Sequence, residues 1–331
     1  MKDNFWKKVA DKKPFFVLAP MADVTDMAFR RIITKYGKPD VLWTEFVSAD
    51  GLAHPEGREH LLIDLSYTEK ERPIVAQLFT SHPDKMREAA RLVAELGFDG
   101  LDINMGCPDK TIEKQGAGAA LMKTPKTARE VIRAAKEGIA DAGKDIPVSV
   151  KTRIGWSKPE VETWIPELLK ENIAALTIHA RTRKELSLVP ARWEFVKRAV
   201  EIRNEMKADT LIIGNGDVMS ITDGYERAKE TGADGVMIGK GIFGNPWLFD
   251  PKKKNISIEE KLKVMVEHTK LFEKLLGGKK NFAIMKKHYK AYVNGFDGAK
   301  ELRVELMGAE NAREVGKIVK RFLSLDNRTG A

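Results

Sequence analysis

The single cysteine of the chain lies where a thiol could do chemistry. Cys107 follows the apolar run GLDINMG (100–106), and the flanking Gly106 and Pro108 predict a turn just past the end of a strand. A nucleophilic cysteine needs a histidine or a cation that holds it as thiolate, whereas a general acid must stay protonated near its ordinary pKa of about 8.5. Lone cysteines are also often small buried hydrophobic residues. The residues alone leave all three roles open.

A lysine and a histidine end two further apolar runs. Lys151 lies near the end of PVSVKTR (147–153). An ammonium at the end of a buried strand must pair with a carboxylate or contact a ligand, because a desolvated lone charge is costly. We expect a ligand contact, and a salt bridge to Glu45 or Asp102 is the alternative. His179, in ALTIHAR, is either a base partner for the thiol or a structural histidine.

Two glycine-containing segments, GNGD (214–217) and GKG (239–241), follow the last two apolar runs. Glycines let the backbone approach an anion closely and present N–H groups to it. In barrel folds the loops after the seventh and eighth strands are the usual phosphate site. These segments therefore predict a phosphorylated ligand, and tight strand-to-helix turns are the alternative explanation.

Short apolar, β-branched runs must position these residues, and eight of them recur before residue 242. They are 15–20, 41–46, 73–79, 100–106, 147–153, 175–181, 210–216 and 235–241. Continuous apolar runs are typical of parallel strands that are buried on both faces. Helical stretches alternate with them, for example from Pro83 and Pro125, so the sequence predicts an α/β fold, a (β/α)₈ TIM barrel. A doubly wound open sheet is the alternative, but no G-x-G-x-x-G follows the first run.

The pattern changes after residue 250, and three helices are predicted at about 257–276, 282–292 and 300–323. Ser257 and Glu260 form a capping-box pattern before the first of them. The net charge of the chain is +9, and the whole basic excess lies in residues 251–331. We therefore predict a barrel domain at 1–250 and a small basic helical domain at 251–331. Such a domain suggests a polyanionic partner such as nucleic acid, and a lysine-rich solvated surface is the alternative.

Composition limits the other classes of protein. With 43% hydrophobic and 32% charged residues the chain is expected to be globular, and no run approaches the roughly 18 apolar residues of a membrane-spanning helix. One cysteine and six scattered histidines predict no internal disulfide and no metal site. We expect a cytoplasmic monomer that binds neither membrane nor metal.

Several motifs occur in order at the predicted strand ends: PMADVTD, TEFVSADGL, NMGCP, KTR, HARTR, NGD and GNPW. Together with the tail segment MKKHYKAYVNGFDGAKELR, they cover nearly the whole chain. The chain resembles the tRNA-dihydrouridine synthases, flavin enzymes that reduce uridine in tRNA to 5,6-dihydrouridine. The resemblance implies FMN in the barrel mouth, NADPH as the usual electron donor, Cys107 as the acid that protonates carbon 5 of the uracil, and tRNA bound by the helical domain.

The resemblance also implies roles for individual residues. Those expected to contact the flavin ring of FMN are Pro20, Met21, Ala22, Gln77, Lys151 and His179. Those expected to bind its ribityl phosphate are Asn215, Gly216, Asp217, Gly239 and Lys240. Those expected to hold the uracil and its phosphates are Asn104, Arg153 and Arg181.

The sequence departs from the family pattern at a few positions. Lys240 stands where the family usually has arginine, which keeps the charge but loses the bidentate fork. The loop KELSLVPARW (184–193) lacks the usual aromatic-glycine pair. Two other functions remain as alternatives. A small-molecule flavin oxidoreductase on the same barrel would leave the basic tail unexplained, and an RNA-binding barrel without catalysis is disfavoured by the presence of Cys107 and Lys151.

Overall fold

The predicted barrel is present in the computed structural model, which describes the backbone of residues 4–329 and the side chains of residues 4–324. All strands pair in parallel in the order β1-β8-β7-β6-β5-β4-β3-β2, and an isolated bridge between Val17 and Val41 links β1 to β2. The strands are β1 Phe15–Leu18, β2 Leu42–Ser48, β3 Ile74–Phe79, β4 Gly100–Met105, β5 Val148–Arg153, β6 Ala175–His179, β7 Leu211–Asn215 and β8 Gly235–Ile238. The predicted (β/α)₈ fold is thereby confirmed.

Helices follow the strands as the alternating pattern predicts. They are α1 Phe5–Ala10, α2 Met27–Tyr36, α3 Ala49–Ala53, α4 Pro55–Leu61, α5 Pro83–Glu95, α6 Lys110–Lys114, α7 Pro125–Asp141, α8 Val161–Leu169, α9 Glu194–Glu205, α10 Ile221–Thr231, α11 Ile258–Leu276, α12 Ile284–Tyr292, α13 Ala299–Gly308 and α14 Ala312–Thr329. Pro83 and Pro125 begin α5 and α7, where the missing N–H of proline has no intrahelical partner in any case. Among residues 4–329 no helix has the length and apolar character needed to cross a membrane.

The amino end of the barrel is filled by a short helix that the sequence did not indicate. Asn4 caps α1 by accepting a hydrogen bond from the N–H of Trp6 (2.9 Å). Trp6 is completely buried, and its ring centroid lies 5.9 Å from those of both Phe15 and Trp43. Aromatic rings at such distances pack closely and exclude water. The apolar cluster around them occupies the lower part of the barrel and leaves the polar residues at the opposite end.

The chain divides into two compact units. The first runs to Ala22 and resumes over Pro39–Lys240, and the second comprises Asp23–Lys38 and the chain from Gly241 onward. The second unit therefore contains α2 as well as the helices after the barrel. The predicted separation of function at residue 250, between a catalytic and an RNA-binding domain, stays a prediction.

The third predicted helix, 300–323, was wrong as a single element. It is interrupted at residues 309–311, between α13 and α14. Ala309 has an extended backbone (φ −70°, ψ 138°), and Asn311 Oδ1 accepts a hydrogen bond from the N–H of Glu314 (3.0 Å). An asparagine that satisfies a free N–H in this way starts a new helix. The N-x-x-E spacing of Asn311 and Glu314 was the available sequence signal.

Two histidines lie in the core of the second unit. His268 and His288 are buried, and their ring centroids are 4.7 Å apart. Phe29 of α2 packs against both rings. Within the described side chains, both ring nitrogens of His268 lack a hydrogen-bond partner, and so does the Nε2 of His288. Burial lowers the pKa of His288 to about 3, helped by the charge of Lys287, and burial lowers that of His268 well below its usual value.

This pair predicts that acid destabilises the helical unit. Above pH 6.5 both histidines are neutral in the folded and in the unfolded chain, so they have no effect on the pH dependence. Below pH 6.5 the unfolded chain binds protons first, and the free energy of unfolding falls by about 1.4 kcal/mol per pH unit for each histidine. His288→Leu should remove one such contribution between pH 6.5 and pH 4.5, measured by urea unfolding at several pH values. His60→Leu, at an exposed position, is the control. Equal pH dependence of the wild type and His288→Leu would contradict the argument.

Candidate active site

The carboxyl ends of the central strands bring the predicted polar residues together. The register pairs Asn104 with Lys151, Arg153 with His179, and His179 with Asn215. Side chains at matched positions of neighbouring parallel strands point to the same face of a sheet. These five residues therefore form one polar layer at the carboxyl end of the barrel, the end at which active sites of this fold occur.

The predicted site residues, of which the five in the polar layer are a part, differ in exposure. The partly exposed side chains are those of Met21, Cys107, Lys151 and His179. The buried ones are those of Gln77, Asn104, Arg153, Arg181 and Asn215. Pro20 is buried, while Ala22, Asp217 and Lys240 are exposed.

A buried carboxylate, which the sequence indicates only as a possible salt-bridge partner of Lys151, organises the base of the site. Asp102 accepts hydrogen bonds from Ser149 Oγ (2.5 Å) and Gln77 Nε2 (2.6 Å). Gln77 Oε1 in turn accepts from Asn104 Nδ2 (3.0 Å). Burial raises the pKa of Asp102 to about 6, although both hydrogen bonds and the charge of Lys151 act in the opposite direction. An ionisable residue inside the apolar run GLDINMG was the sequence signal for this network.

The turn that carries the thiol is fixed by hydrogen bonds on both sides. Asn104 Oδ1 accepts from the N–H groups of Gly106 (3.1 Å) and Cys107 (2.9 Å), and the Cys107 carbonyl accepts from the N–H of Ala119 (3.0 Å). Burial raises the pKa of the Cys107 thiol, and nearby cations, including Lys151, reduce the rise without cancelling it. The thiol is therefore protonated at neutral pH. This state fits a general acid better than a thiolate nucleophile.

Lys151 lies at the carboxyl end of β5 without a direct contact to a carboxylate among the described side chains. Within the described side chains, its ammonium forms neither a hydrogen bond nor an ion pair, so the alternative of a salt bridge to Glu45 or Asp102 is not realised. Burial, with a contribution from Arg153, lowers the pKa of Lys151 to about 8. At neutral pH the group is still mostly charged. A partly buried, unpaired cation of this kind favours contact with an anionic or strongly polar ligand.

His179 is held as a neutral ring by its surroundings. Burial lowers its pKa well below the usual value, and four cations act in the same direction, Arg153 first among them. Arg181 Nη1 lies 3.2 Å from His179 Nε2. Because arginine can only donate, Nε2 must accept and the ring proton must be on Nδ1. The neutral ring thus carries a hydrogen-bond donor at Nδ1, and its lowered pKa makes it a poor base partner for the thiol.

Both arginines of the predicted substrate set also bind the protein itself. Arg181 donates to the Val189 carbonyl (2.5 Å) and to the carboxylate of Asp217. Arg153 donates to the carbonyls of Gly106 (2.8 Å) and Leu186 (2.9 Å). Each guanidinium therefore ties loops together beneath the mouth. Their contact with a substrate stays a prediction.

A second layer of contacts, not anticipated from the sequence, joins the loops after β4, β5 and β6. Arg183 forms a two-point ion pair with Glu113 of α6. The Trp156 ring contacts two cations, with Lys123 Nζ 3.6 Å from its centroid and the Arg183 guanidinium 4.9 Å from it. Such cation–π contacts stabilise a loop most where water is partly excluded. They hold in place the segment that follows Cys107.

The segments after β7 and β8 form the predicted phosphate end of the site. Asn215 Nδ2 donates to the Met237 carbonyl (2.7 Å) and joins the two strands. Gly216 has φ +125°, and a Cβ there would lie 2.9 Å from the Ala191 Cβ and 3.1 Å from His179 Cδ2. Lys240 is exposed and has no ion pair among the described side chains. A positive charge beside a segment that only glycine fits suits an anion.

Adding one methyl group at Gly216 should disturb this end of the site selectively. Gly216→Ala would strain the backbone and push against His179, so we expect the affinity for a phosphorylated ligand to fall by about tenfold, roughly 1.4 kcal/mol. Gly143→Ala is the matched control, because Gly143 also has a positive φ (+66°) but has no atom within 4 Å of an added Cβ. Titration with FMN, the phosphorylated ligand that the resemblance implies, followed by flavin fluorescence, measures the effect. If Gly216→Ala and Gly143→Ala weakened FMN binding equally, backbone strain alone would explain the loss of affinity.

The chain is similar in sequence to known proteins over nearly its whole length. A sequence model of the family described as "Dihydrouridine synthase (Dus)" matches residues 17–326. The chain is 39% identical over 324 residues to a protein of Staphylococcus epidermidis named "Probable tRNA-dihydrouridine synthase", covering 97% of each. It is 40% identical over 324 residues to "Probable tRNA-dihydrouridine synthase 2" of Bacillus subtilis, again covering 97% of each.

Solved structures show a likeness in fold. Histamine dehydrogenase from Rhizobium sp. 4-9 superposes with a TM-score of 0.51 at 12% identity, over 81% of this chain and 51% of that protein. The 6-hydroxypseudooxynicotine amine oxidase from Pseudomonas geniculata N1 superposes with a TM-score of 0.52 at 12% identity, over 75% of this chain and 49% of that protein. The chain spans about half the length of these two enzymes. At this identity the likeness concerns the barrel fold and not the reaction.

Proposed function

This chain belongs to the dihydrouridine synthase family, and we propose that it uses FMN and NADPH to reduce uridines of tRNA to 5,6-dihydrouridine. The observation that carries the proposal is the arrangement at the barrel mouth. A protonated thiol, Cys107, is held on a fixed turn beside the unpaired ammonium of Lys151. Reduction of a carbon–carbon double bond next to a carbonyl needs a proton donor and a cationic environment for electron-rich groups.

The residues present fit FMN. Its phosphate is anionic, and Lys240 and the glycine segments at 216 and 239 offer a cation and close backbone approach. Met21 lies near the same place, since a Cβ on Gly239 would be 3.8 Å from its sulfur. Lys151 and the Nδ1 donor of His179 would bind the polar edge of the ring. When bound, FMN supplies the hydride chemistry that side chains lack.

Other members of the predicted flavin set would act in different ways. Pro20, Met21 and Ala22 would form an apolar wall for the ring. Gln77 is completely buried and already bonded to Asp102 and Asn104, so it would support its neighbours more than it contacts the flavin. Asp217 would brace Arg181 and hence His179, because its carboxylate is bonded to that guanidinium.

The chemistry assigned to this chain is the delivery of a proton. Saturation of the 5,6 bond of uracil adds one hydride at carbon 6 and one proton at carbon 5. Cys107 Sγ would hold that proton and release it as the double bond is reduced, and Lys151 and Arg153 nearby would stabilise the resulting thiolate. A proton from solvent would then restore the thiol. NADPH is the donor of both electrons, so the overall reaction consumes one NADPH and one proton.

Recognition of tRNA is assigned to two regions. The target base must leave its stack to enter the mouth, which costs a few kcal/mol that contacts elsewhere must offset. The helical unit supplies positive charge for contacts with phosphates, including Lys286, Lys287 and Lys290 on α12. We propose that the enzyme acts as a monomer in the cytoplasm and that the mouth and the helical unit bind one tRNA molecule.

Mass spectrometry of tRNA nucleosides tests the proposal. The purified protein is expected to be yellow, and with NADPH it should convert uridine of unmodified tRNA into a nucleoside with two more hydrogens. Heat-denatured protein is the control for chemical reduction. NADPH oxidation with unchanged tRNA, together with reduction of a free pyrimidine, would favour the small-molecule oxidoreductase alternative. A colourless protein that does not take up FMN would defeat the cofactor assignment.

A further inference from the structure

One carboxylate sets the direction of the hydrogen bonds beneath Cys107. An ionised carboxylate can only accept, so Gln77 must turn its Nε2 donor toward Asp102 (2.6 Å). The Gln77 carbonyl then faces Asn104, whose Nδ2 donates to it (3.0 Å). Asn104 is left with Oδ1 directed at the N–H groups of Gly106 and Cys107 (3.1 and 2.9 Å).

The opposite direction is incompatible with the turn. If Gln77 rotated its amide, its donor would meet the donor of Asn104, and Asn104 would have to rotate as well. Asn104 would then present Nδ2 to the N–H groups of Gly106 and Cys107, which are donors themselves. Two N–H groups would lose their acceptor in a largely buried place, which a native fold avoids. The turn therefore depends on an acceptor at position 102.

The position of Asp102 in the strand supports a role beyond packing. It is completely buried in β4, between the apolar residues Leu101 and Ile103. Both carboxylate oxygens are engaged, one by Ser149 and the other by Gln77. A buried carboxylate in an apolar strand is unfavourable unless each oxygen is satisfied. Here that satisfaction also orients the two amides that lead to the thiol.

We propose that Asp102 is a positioning residue for Cys107, acting through Gln77 and Asn104 to hold the turn that keeps the thiol partly buried at the barrel mouth. The inference rests on the proposed role of Cys107 as the acid. Asp102 itself does not contact a reacting atom. We expect Asp102 to keep the Cys107 thiol protonated and in a fixed orientation. Loss of Asp102 should therefore change the pKa and reactivity of the thiol more than it changes the binding of tRNA.

Alkylation of the thiol by iodoacetamide across a pH series tests this proposal on the full-length protein. Because Cys107 is the only cysteine, the reaction reports on this sulfur alone. In Asp102→Leu the turn should loosen, the thiol pKa should fall toward its ordinary value, and alkylation at pH 8 should be about tenfold faster. Asp102→Asn can keep a carbonyl toward Gln77 and donate to Ser149, so it should stay within about threefold of the wild type.

Asp234→Leu is the matched control. Asp234 is also a buried carboxylate next to a strand, but it lies at the amino end of β8 and accepts from Ile212 N–H (2.7 Å) and Arg203 (2.9 Å). Equal changes in thiol reactivity for Asp102→Leu and Asp234→Leu would overturn the proposal, because general destabilisation would then explain both. A folded Asp102→Leu whose thiol titrates as in the wild type would overturn it too.

A second variant covers the case in which Asp102→Leu does not fold. Gln77→Met breaks the same series of hydrogen bonds in the middle and keeps the carboxylate. It should show the same fall in thiol pKa and a lower kcat for dihydrouridine formation, with an unchanged KM for tRNA; an unchanged thiol would overturn the proposal. The thiol measurements need neither flavin nor tRNA, so absence of dihydrouridine formation in the wild type would defeat the proposed function separately.

Discussion

Cys107→Ala is expected to lower the rate of dihydrouridine formation by about 10²- to 10⁴-fold, the range that a positioned general acid contributes. The thiol lies on a turn fixed by Asn104 and Ala119, and burial raises its pKa, so a proton is held there at neutral pH. Alanine leaves the turn in place, because the hydrogen bonds to it are made by the backbone of residue 107. The rate is measured as the amount of dihydrouridine formed in tRNA per enzyme molecule and unit time, determined by mass spectrometry of the tRNA nucleosides.

The half-reaction with NADPH separates this role from a structural one. Reduction of bound flavin by NADPH should proceed in Cys107→Ala at the wild-type rate, followed as loss of visible absorbance in a stopped-flow instrument. The rate of dihydrouridine formation by Cys107→Ser should lie between those of the wild type and Cys107→Ala, because a hydroxyl can donate a proton but is a weaker acid than a thiol. Normal turnover of tRNA by Cys107→Ala would remove Cys107 from the mechanism. If Cys107→Ala lost its flavin, the lower rate would be explained by weaker flavin binding and not by the missing acid.

Neutralising the basic face of α12 is expected to weaken tRNA binding in a salt-dependent way. The triple change Lys286→Gln, Lys287→Gln and Lys290→Gln removes three positive charges from one helix, and of these Lys287 lies 3.8 Å from Asp23. If each lysine contacts a phosphate, the slope of log affinity against log salt should fall by up to about 1 per lysine. At low salt the affinity for tRNA should fall by roughly tenfold or more.

A matched triple change controls for net charge. Lys12, Lys144 and Lys207 are exposed and lie near the amino end of the barrel. Their replacement by glutamine changes the charge of the protein equally but should leave the salt slope within about 0.5 of the wild type. Filter binding or fluorescence anisotropy with labelled tRNA at several salt concentrations measures both proteins. Identical slopes for the two triple variants would mean that α12 contributes only long-range charge.

The barrel could be predicted from the sequence because its strands are buried on both faces. Each of β1–β8 begins within one residue of a predicted apolar run, and the residues that end these runs form the polar layer. Glycine marked a turn, as at Gly216, and proline marked the start of a helix, as at Pro83. Membership of the family was equally accessible, because its motifs fall at the ends of these strands.

Features that depend on distant contacts could not be predicted in the same way. Trp6 fills the amino end of the barrel through rings that are far away in the sequence, and nothing local to FWKKVA indicates this. The direction of the amides between Asp102 and Cys107 depends on a partner 25 residues away, Gln77. The hydrogen bonds that Arg153 and Arg181 donate to backbone carbonyls likewise could not be predicted, because only the folded loops bring Leu186 and Val189 close to these guanidinium groups.

The tryptophan at the amino end has a kinetic consequence. Among the described residues, Trp6, Phe15 and Trp43 pack below the polar layer and fill the amino end of the barrel, so we expect reactants to approach Cys107 and Lys151 from the carboxyl side of the strands. A nucleotide coenzyme and a folded RNA that share a single entrance would have to alternate there. Double-reciprocal plots of initial velocity against coenzyme concentration, at several RNA concentrations, should then give parallel lines. Parallel lines are the pattern of a ping-pong mechanism, in which the two substrates bind one after the other.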